Sequence, residues 1–304
     1  MKQQAIGKIV AVLVTYNIGE SVHQTVNSIK SQVDGLIIID NGSHPDTLHI
    51  LRSIVAGAPE FYTLIERTEN NLAAAQNAGI AAARAQGADW VILSDHDSFF
   101  DVAMVHNLAT AYQNLSDANI ALLAPALFDR NSERGPRYLR KYGKFLFKWT
   151  GFENRPYLDD LMCAIASGSL ISMQVLDQVG GMDETYGIDD VDREFCLRLI
   201  TNGYKIVAVR DALLYHQLGH CRDHKLMGVR LTTSNHEADR RYTIYRNRIR
   251  NWRRYGRQWP GFVLFDILAM KLDFFRILVC ESGKLNKMRN AIRGAFQGLT
   301  AQAA

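Results

Sequence analysis

Between Lys8 and Leu93 the chain alternates apolar, β-rich runs with segments of helical periodicity, and this alternation limits the possible folds more than any other feature. Lys8 to Thr15 is the first such run, and Ser21 to Gln32 follows with Val22, Val26, Ile29 and Val33 at helical spacing. Gly35 to Asp40 is a second buried run, closed by the turn residues Asn41, Gly42 and Ser43, with a helix predicted over Pro45 to Val55. Phe61 to Arg67, the alanine-rich Leu72 to Gln86, and Asp89 to Leu93 extend the alternation. Repeated strand-then-helix units predict a mostly parallel α/β sheet. In such sheets ligands lie outside the carboxyl ends of the strands, where Thr15, Asp40 and Asp95 all fall. Each residue alone would serve equally as a cap or turn residue, and their joint placement points to a site.

The pattern loosens after Phe100. A helix is expected over Val102 to Leu115, a strand over Ile120 to Pro125, and a loop over the basic-aromatic stretch Arg130 to Phe152. A strand over Ile165 to Ser172, a short helix over Met173 to Val179, a helix over Val191 to Asn202, and strand character at Tyr204 to Val209 and Leu213 to Tyr215 follow. With 304 residues, 47% of them apolar, the chain can bury a sizeable core as one large domain or two.

The formal net charge of +4 does not mark a nucleic-acid binder, although Arg240, Arg241, Arg246, Arg248, Arg250, Arg253, Arg254 and Arg257 form a local basic stretch. Cys163, Cys196, Cys221 and Cys280 are widely spaced and fit a reducing cytoplasm. The start of the chain lacks the apolar region and cleavage site of a signal peptide, so no export is expected. Phe262 to Cys280 is broken by Asp266, Lys271, Asp273 and Arg276, which makes it a poor membrane span. Within it Val263, Leu264, Ile267, Leu268, Leu272, Phe275 and Leu278 recur at helical spacing near Trp252 and Trp259. That pattern fits either a helix packed on the rest of the chain or one lying on anionic lipid.

Asp95 and Asp97 flank His96 directly after an apolar strand, so two carboxylates can reach one point. Hard divalent cations such as Mn²⁺ or Mg²⁺ favour such oxygen ligands and often keep a substrate phosphate as another, and a cation there neutralises a leaving diphosphate. His216, just past a strand-like run, is a candidate third ligand. A second acidic cluster, Asp183, Glu184, Asp189, Asp190, Asp192 and Glu194, leads into a helix. Its carboxylates suit capping, and their crowding would raise pKa values enough to tune a general base. His220, Cys221 and His224 lack the second cysteine pair of a zinc site, so zinc is excluded.

In these motifs, their order and their spacing, the chain resembles the inverting glycosyltransferases of family two, and within them the bacterial rhamnosyltransferase branch. The matching pieces are Ala11 to Asn17, Ile37 to Ser43, Asn70 to Ile80, Ile92 to Ser98, Ser167 to Ser172, Val179 to Leu199 and Tyr245 to Arg250. The resemblance implies a GT-A fold, α/β and Rossmann-like, with a mostly parallel central sheet flanked by helices and a C-terminal helical, amphipathic extension. It implies a catalytic domain over residues 1–240, divided into a nucleotide-sugar half (1–100) and an acceptor half (101–240), with a basic helical region over 241–304.

Carried over to matching positions, the resemblance implies that Thr15, Tyr16, Asn17, Asp40, Asn71, Ala74, Ala75, Asn77 and Asp95 line the nucleotide. Asp95 and Asp97, with His216, are expected to hold Mn²⁺ or Mg²⁺. His96, which stands where the branch usually carries glutamine, is expected on the sugar and acceptor side with Asp192, Gly168 and Ser169. The general base is expected at Asp190, with Asp189 as the alternative. The implied reaction is a single in-line displacement that inverts the anomeric carbon, from dTDP-rhamnose or a UDP-linked hexose to a saccharide or lipid-linked acceptor. The expected setting is cytoplasmic, peripheral on the inner face of a bacterial plasma membrane and without nucleic acid. A nucleotide-binding module without catalysis would show broken acidic motifs, and a nucleotidyltransferase a glycine-rich, lysine-bearing loop where Ile18, Gly19 and Glu20 stand.

Overall fold

The computed structural model describes residues 6–129, 135–216, 222–226 and 229–300, with backbone alone for 222–226 and 229–232. Its centre is a nine-stranded sheet. The predicted strand-helix units appear as β1 (Ile9–Thr15), α1 (Val22–Lys30), β2 (Gly35–Asn41), α2 (Pro45–Ala56), β3 (Tyr62–Arg67), α3 (Leu72–Ala85) and β4 (Trp90–Asp95). β3, β2, β1 and β4 lie side by side and are all parallel, so Thr15 ends β1 beside Asp40, the penultimate residue of β2, and Asp95 ends β4. Alternation along β1 sends Ile9, Ala11 and Leu13 to one face, where they pack with Val26, Ile29 and Leu51 of α1 and α2. Val12 points to the other face against Gly79 of α3, where a Cβ would stand only 2.2 Å from the valine Cγ1. The glycine is what lets α3 sit directly on the sheet.

After β4 a tight reversal leads to β5 (Ser98–Phe100), then α4 (Met104–Leu115) and β6 (Ile120–Asp129). Arg137–Tyr142 (β7) and Leu146–Gly151 (β8) form an antiparallel hairpin where the sequence pattern predicts a loop. Its strands, RYLRKY and LFKWTG, mix cationic, aromatic and aliphatic residues without a regular two-residue alternation, so no apolar periodicity marks them. β9 (Tyr157–Leu158) follows, and then β10 (Leu170–Ser172), much shorter than the expected Ile165 to Ser172. β10 inserts antiparallel between β4 and β6. It is cut short because Gly168, at φ +76°, turns the chain where a Cβ would collide with Pro125 and Leu214. α5 (Met173–Val179), a 3₁₀ turn (Glu184–Tyr186) and α6 (Val191–Thr201) lead to β11 (Lys205–His216). β11 is one continuous strand, with a bulge between Val209 and Leu213 that the sequence shows as a gap between two strands. It runs parallel to β6 and antiparallel to β5.

These elements make one compact unit, up to Arg140, then Trp149–Gly187 and Val191 to the end of β11. A second unit comprises the hairpin tip Lys141–Lys148, the tripeptide Ile188–Asp190 and the chain beyond β11. It contains the two-stranded β12 (Arg222–Leu226) and β13 (Val229–Thr233), and the helices α7 (Ala238–Tyr255), α8 (Pro260–Cys280) and α9 (Lys284–Thr300).

The arginine stretch on α7 is not the uniform basic face its sequence suggests. Arg241 and Arg248, seven residues apart, turn inward and meet Asp273 and Asp266, seven apart on α8, at 3.0 and 2.7 Å. Glu281 and Lys287 extend the buried network. α9 closes on α7 through Gly294 and Gly298, whose Cβ positions would stand 2.1 and 2.5 Å from the carbonyl oxygens of Tyr242 and Arg246. Backbone cannot give way as a side-chain tip can. Gly294→Ala is therefore expected to destabilise the protein by about 1–3 kcal/mol, the usual scale for forced overpacking, in urea unfolding followed by circular dichroism. Unchanged stability would show that α9 does not make this approach in solution.

Candidate active site

Three side chains distant in sequence converge at the carboxyl end of β4. Asp95 is the last residue of that strand, Asp97 lies in the turn to β5, and His216 ends β11 directly opposite Ser98 of β5. Ligand atoms of Asp95, Asp97 and His216 lie within 4.8 Å of one another. A buried hydrogen-bond chain fixes them. The Asp95 N–H donates to Ser167 Oγ at 3.0 Å, Ser167 Oγ lies 2.6 Å from Ser98 Oγ, and Ser98 Oγ lies 2.7 Å from His216 Nδ1. Ser98 and Ser167 were not singled out by sequence reasoning, although both sit inside motifs that it used. A buried hydroxyl that only orients other groups has no spacing signature.

His216 Nδ1 also approaches Asp97 Oδ1 at 3.2 Å. Because the ring nitrogen is directed at Ser98, this contact is an ion pair rather than a formed hydrogen bond. Asp97 Oδ1 is thus buried without a hydrogen-bond partner. An orphaned carboxylate oxygen of this kind costs about 1–3 kcal/mol or more, and a cation would recover that cost. Two hard oxygen donors and an imidazole suit a divalent ion.

The other expected residues are distributed as follows. Thr15 is buried and donates to the Ile39 carbonyl, whereas Tyr16 is exposed. Asn17, at φ +47°, accepts from His44 N–H and donates its own N–H to Ser43 Oγ, which braces the loop after β2. Asp40 accepts from Gly42 and Ser43 through Oδ2, and its buried Oδ1 has no partner. Asn71 caps α3 by accepting from Ala74 N–H. Its amide also reaches the Glu184 carbonyl. Asn77 holds the following turn through both Met182 backbone groups and Glu184 Oε1. Ala74 and Ala75 are buried in α3. Ser169 bonds the Ile165 carbonyl, and the Gly168 N–H bonds the Leu93 carbonyl. His220 and Cys221, with the His224 side chain, lie outside the described residues.

The second acidic cluster separates into different tasks. Asp183 caps the 3₁₀ turn, Glu184 holds Asn77, and fully buried Glu194 pairs with Arg198 at 2.9 Å. Asp192 accepts from Ala166 N–H at 3.4 Å and adds negative potential at Asp95.

The sequence profile described as Glycosyl transferase family 2 matches residues 10–180. The chain belongs to glycosyl transferase family 2. This family 2 glycosyltransferase is 27% identical over 246 residues to the dTDP-rhamnosyl transferase RfbF of Shigella flexneri, covering 79% of the chain and 78% of that protein. It is 26% identical over 247 residues to the galactofuranosyltransferase GlfT1 of Mycolicibacterium smegmatis, covering 78% and 80%. Among solved structures it shares the fold of GalNAc-T7 with UDP, GalNAc and Mn²⁺, at TM-score 0.59 and 16% identity over 81% of the chain. The chain spans about half of that protein (48%). It also shares the fold of the mannosyltransferase PcManGT from Pyrobaculum calidifontis in complex with GDP-Man and Mn²⁺, at TM-score 0.56 and 14% identity, over 97% of the chain and 76% of that one.

The enzyme's acidic centre is electrostatically tense. Burial, then the nearby Asp97 and Asp192, push the Asp95 carboxyl up to about 7 against the opposing pull of His216. Burial also pushes Asp97 up, but His216 and His96 outweigh it and leave Asp97 below its ordinary value. His216 is raised, because Asp97, Asp95 and Asp129 overcome the burial that lowers it. Burial lowers His96 against the raising pull of Asp97. A carboxyl raised in the folded state binds its proton more tightly there than in the unfolded chain, so it costs stability as pH rises from its ordinary 3.8 towards 7. In the presence of chelator, Asp95→Asn is therefore expected to melt higher than the unaltered enzyme, by a margin that widens between pH 4 and pH 7. A constant margin in thermal unfolding would show that Asp95 is not strained.

Proposed function

We propose that this glycosyltransferase moves L-rhamnose from dTDP-rhamnose onto a saccharide or lipid-linked acceptor of a bacterial cell-surface polysaccharide, with inversion at the anomeric carbon. The observation that carries the reading is the Asp95, Asp97 and His216 cluster at the end of β4, in a chain similar over most of its length to a dTDP-rhamnosyl transferase. Transfer of another hexose, from a UDP-linked donor, is the second reading, favoured by the likeness to GlfT1.

Asp95, Asp97 and His216 would hold Mn²⁺ or Mg²⁺, which when bound offsets charge on the departing nucleoside diphosphate. The Mn²⁺ in both structural neighbours supports manganese. Asp40 would present its unpaired Oδ1 to the base or ribose, within a nucleotide pocket of Thr15, Tyr16, Asn17, Asn71, Ala74, Ala75 and Asn77. His96, Asp192, Gly168 and Ser169 would border the transferred sugar and acceptor. Asp190 would take the proton from the acceptor hydroxyl as its oxygen bonds to the anomeric carbon, while the bond from that carbon to the diphosphate breaks.

A panel of nucleotide sugars, each with Mn²⁺, Mg²⁺ or excess chelator, tests this. Turnover is expected to be highest with dTDP-rhamnose, lost in chelator, and reduced about tenfold or more in His216→Ala. Undiminished transfer in chelator would overturn the metal role, and preference for a UDP-hexose would select the second reading.

The same proposal places the enzyme on the cytoplasmic face of the membrane. No helix among the described residues is long and apolar enough to cross one, so the contact would be interfacial. Residues 238–300 hold fourteen Lys and Arg against four Asp and Glu, and three of those acids are engaged by Arg241, Arg248 and Lys287. Exposed Leu264, Leu268, Leu272, Phe275 and Leu278 form a stripe along α8, and Leu285, Ile292, Phe296 and Leu299 form one along α9, with exposed Lys271, Lys284, Arg289 and Arg293 alongside. Apolar stripes with a cationic fringe fit anionic lipid. Co-sedimentation with phosphatidylglycerol vesicles is expected, with far less on phosphatidylcholine, release by salt, and loss in the Leu268→Glu, Phe296→Glu double variant. Equal sedimentation with and without vesicles would overturn the placement.

A further inference from the structure

Within the second unit, the tripeptide Ile188–Asp190 is held by one face of α7. Arg240 Nε and Nη2 each donate to the Asp189 carboxylate at 3.1 Å. Asn247 Nδ2 donates to the Asp189 carbonyl at 2.7 Å, which fixes the peptide joining Asp189 to Asp190. Asn251 Nδ2 donates to Asp190 Oδ2 at 3.3 Å. Positions 240, 247 and 251 are seven and four residues apart, so they share a helix face.

Two observations show that this is a built arrangement. Asn247 and Asn251 are both 0% exposed, and a buried amide is costly unless it is hydrogen-bonded. Asp190 has φ +62°, the left-handed region that a non-glycine residue adopts at a cost of about 1 kcal/mol or more unless its surroundings impose it. Arg240 thereby engages the Asp189 carboxylate, and Asn251 engages that of Asp190. Burial pushes the Asp189 carboxyl up and outweighs the Arg240 guanidinium that pulls it down, which leaves Asp189 above its ordinary value.

We propose that α7 is the positioning element for the general base: Asn251 aims the Asp190 carboxylate, Asn247 fixes the peptide before it, and Arg240 withdraws Asp189 from proton transfer. This inference rests on the reading of Asp190 as the base, and it makes Asn247 and Asn251 positioning residues that act through Asp190.

The test is the pH dependence of nucleoside diphosphate release from the donor with the highest turnover in the panel, using the full chain. Loss of a hydrogen bond donated to the ionised carboxylate raises its pKa. Asn251→Ser is therefore expected to lower kcat about tenfold, leave the donor KM within about twofold, and move the acid limb of the kcat profile to higher pH. Asn251→Asp keeps the side-chain volume and sets a like charge beside Asp190, so its limb is expected to move further. Circular dichroism identifies which variants fold, and unaltered kcat and limb in a folded variant overturn the proposal. Neither variant folding would overturn it as well, because Asn251 would then be a structural residue. Asp190→Asn is expected to cut turnover about a hundredfold, and Asp189→Asn much less. The reverse order removes the base assignment itself, whereas an inactive Asp190→Asn beside silent Asn251 variants removes only the role of α7.

Discussion

Three backbone pairings, Ser98 with His216, Phe99 with Tyr215 and Phe100 with Leu214, hold the acidic centre together. They join β5 to the end of β11, bringing a histidine to the turn after β4 from 118 residues beyond Ser98. The Ser167, Ser98 and His216 chain then orients what the strands bring together. Strand pairing fixes each position along one axis, and the buried hydroxyls fix the His216 ring and the Asp95 backbone.

Charge placement elsewhere follows the same principle, that a buried ion must find a partner. Arg241 and Arg248 are inside because Asp273 and Asp266 meet them at matching seven-residue spacing. Such pairs bring little net stability, since desolvation offsets most of the attraction, but removing one partner leaves an expensive orphan. They fix the register of α7 against α8. Asp97 Oδ1 and Asp40 Oδ1 are buried without a hydrogen-bond partner, and both stand at the carboxyl ends of strands where this fold receives ligands.

Family 2 membership extends through residue 180, whereas the acids at 189, 190 and 192 and the helices beyond lie outside the matched span. The first stretch supplies the parallel strands and their polar ends, and the later stretch supplies the helices whose side chains hold the Asp189–Asp190 peptide. A helix rich in buried amides and arginines is a costly structure to keep for packing alone.

The sequence by itself determined the alternation of strands and helices up to Asp95, within a residue or two, and the identity of the two aspartates that end it. Local periodicity and turn chemistry act over a few residues, and both are written directly in the chain. Only the tertiary structure decided that β7 and β8 pair, that β11 is one strand across its bulge, and that Asn71 and Asn77 are tied to the turn before α6. It also decided that the members of an acidic cluster read as one group take different partners, and that two arginines of a stretch read as one surface, Arg241 and Arg248, are buried. These outcomes depend on which distant group arrives to neutralise, bond or crowd a side chain. Ser98 and Ser167 have meaning only once β5 lies against β11 and the Gly168 turn brings the 167 hydroxyl to Asp95.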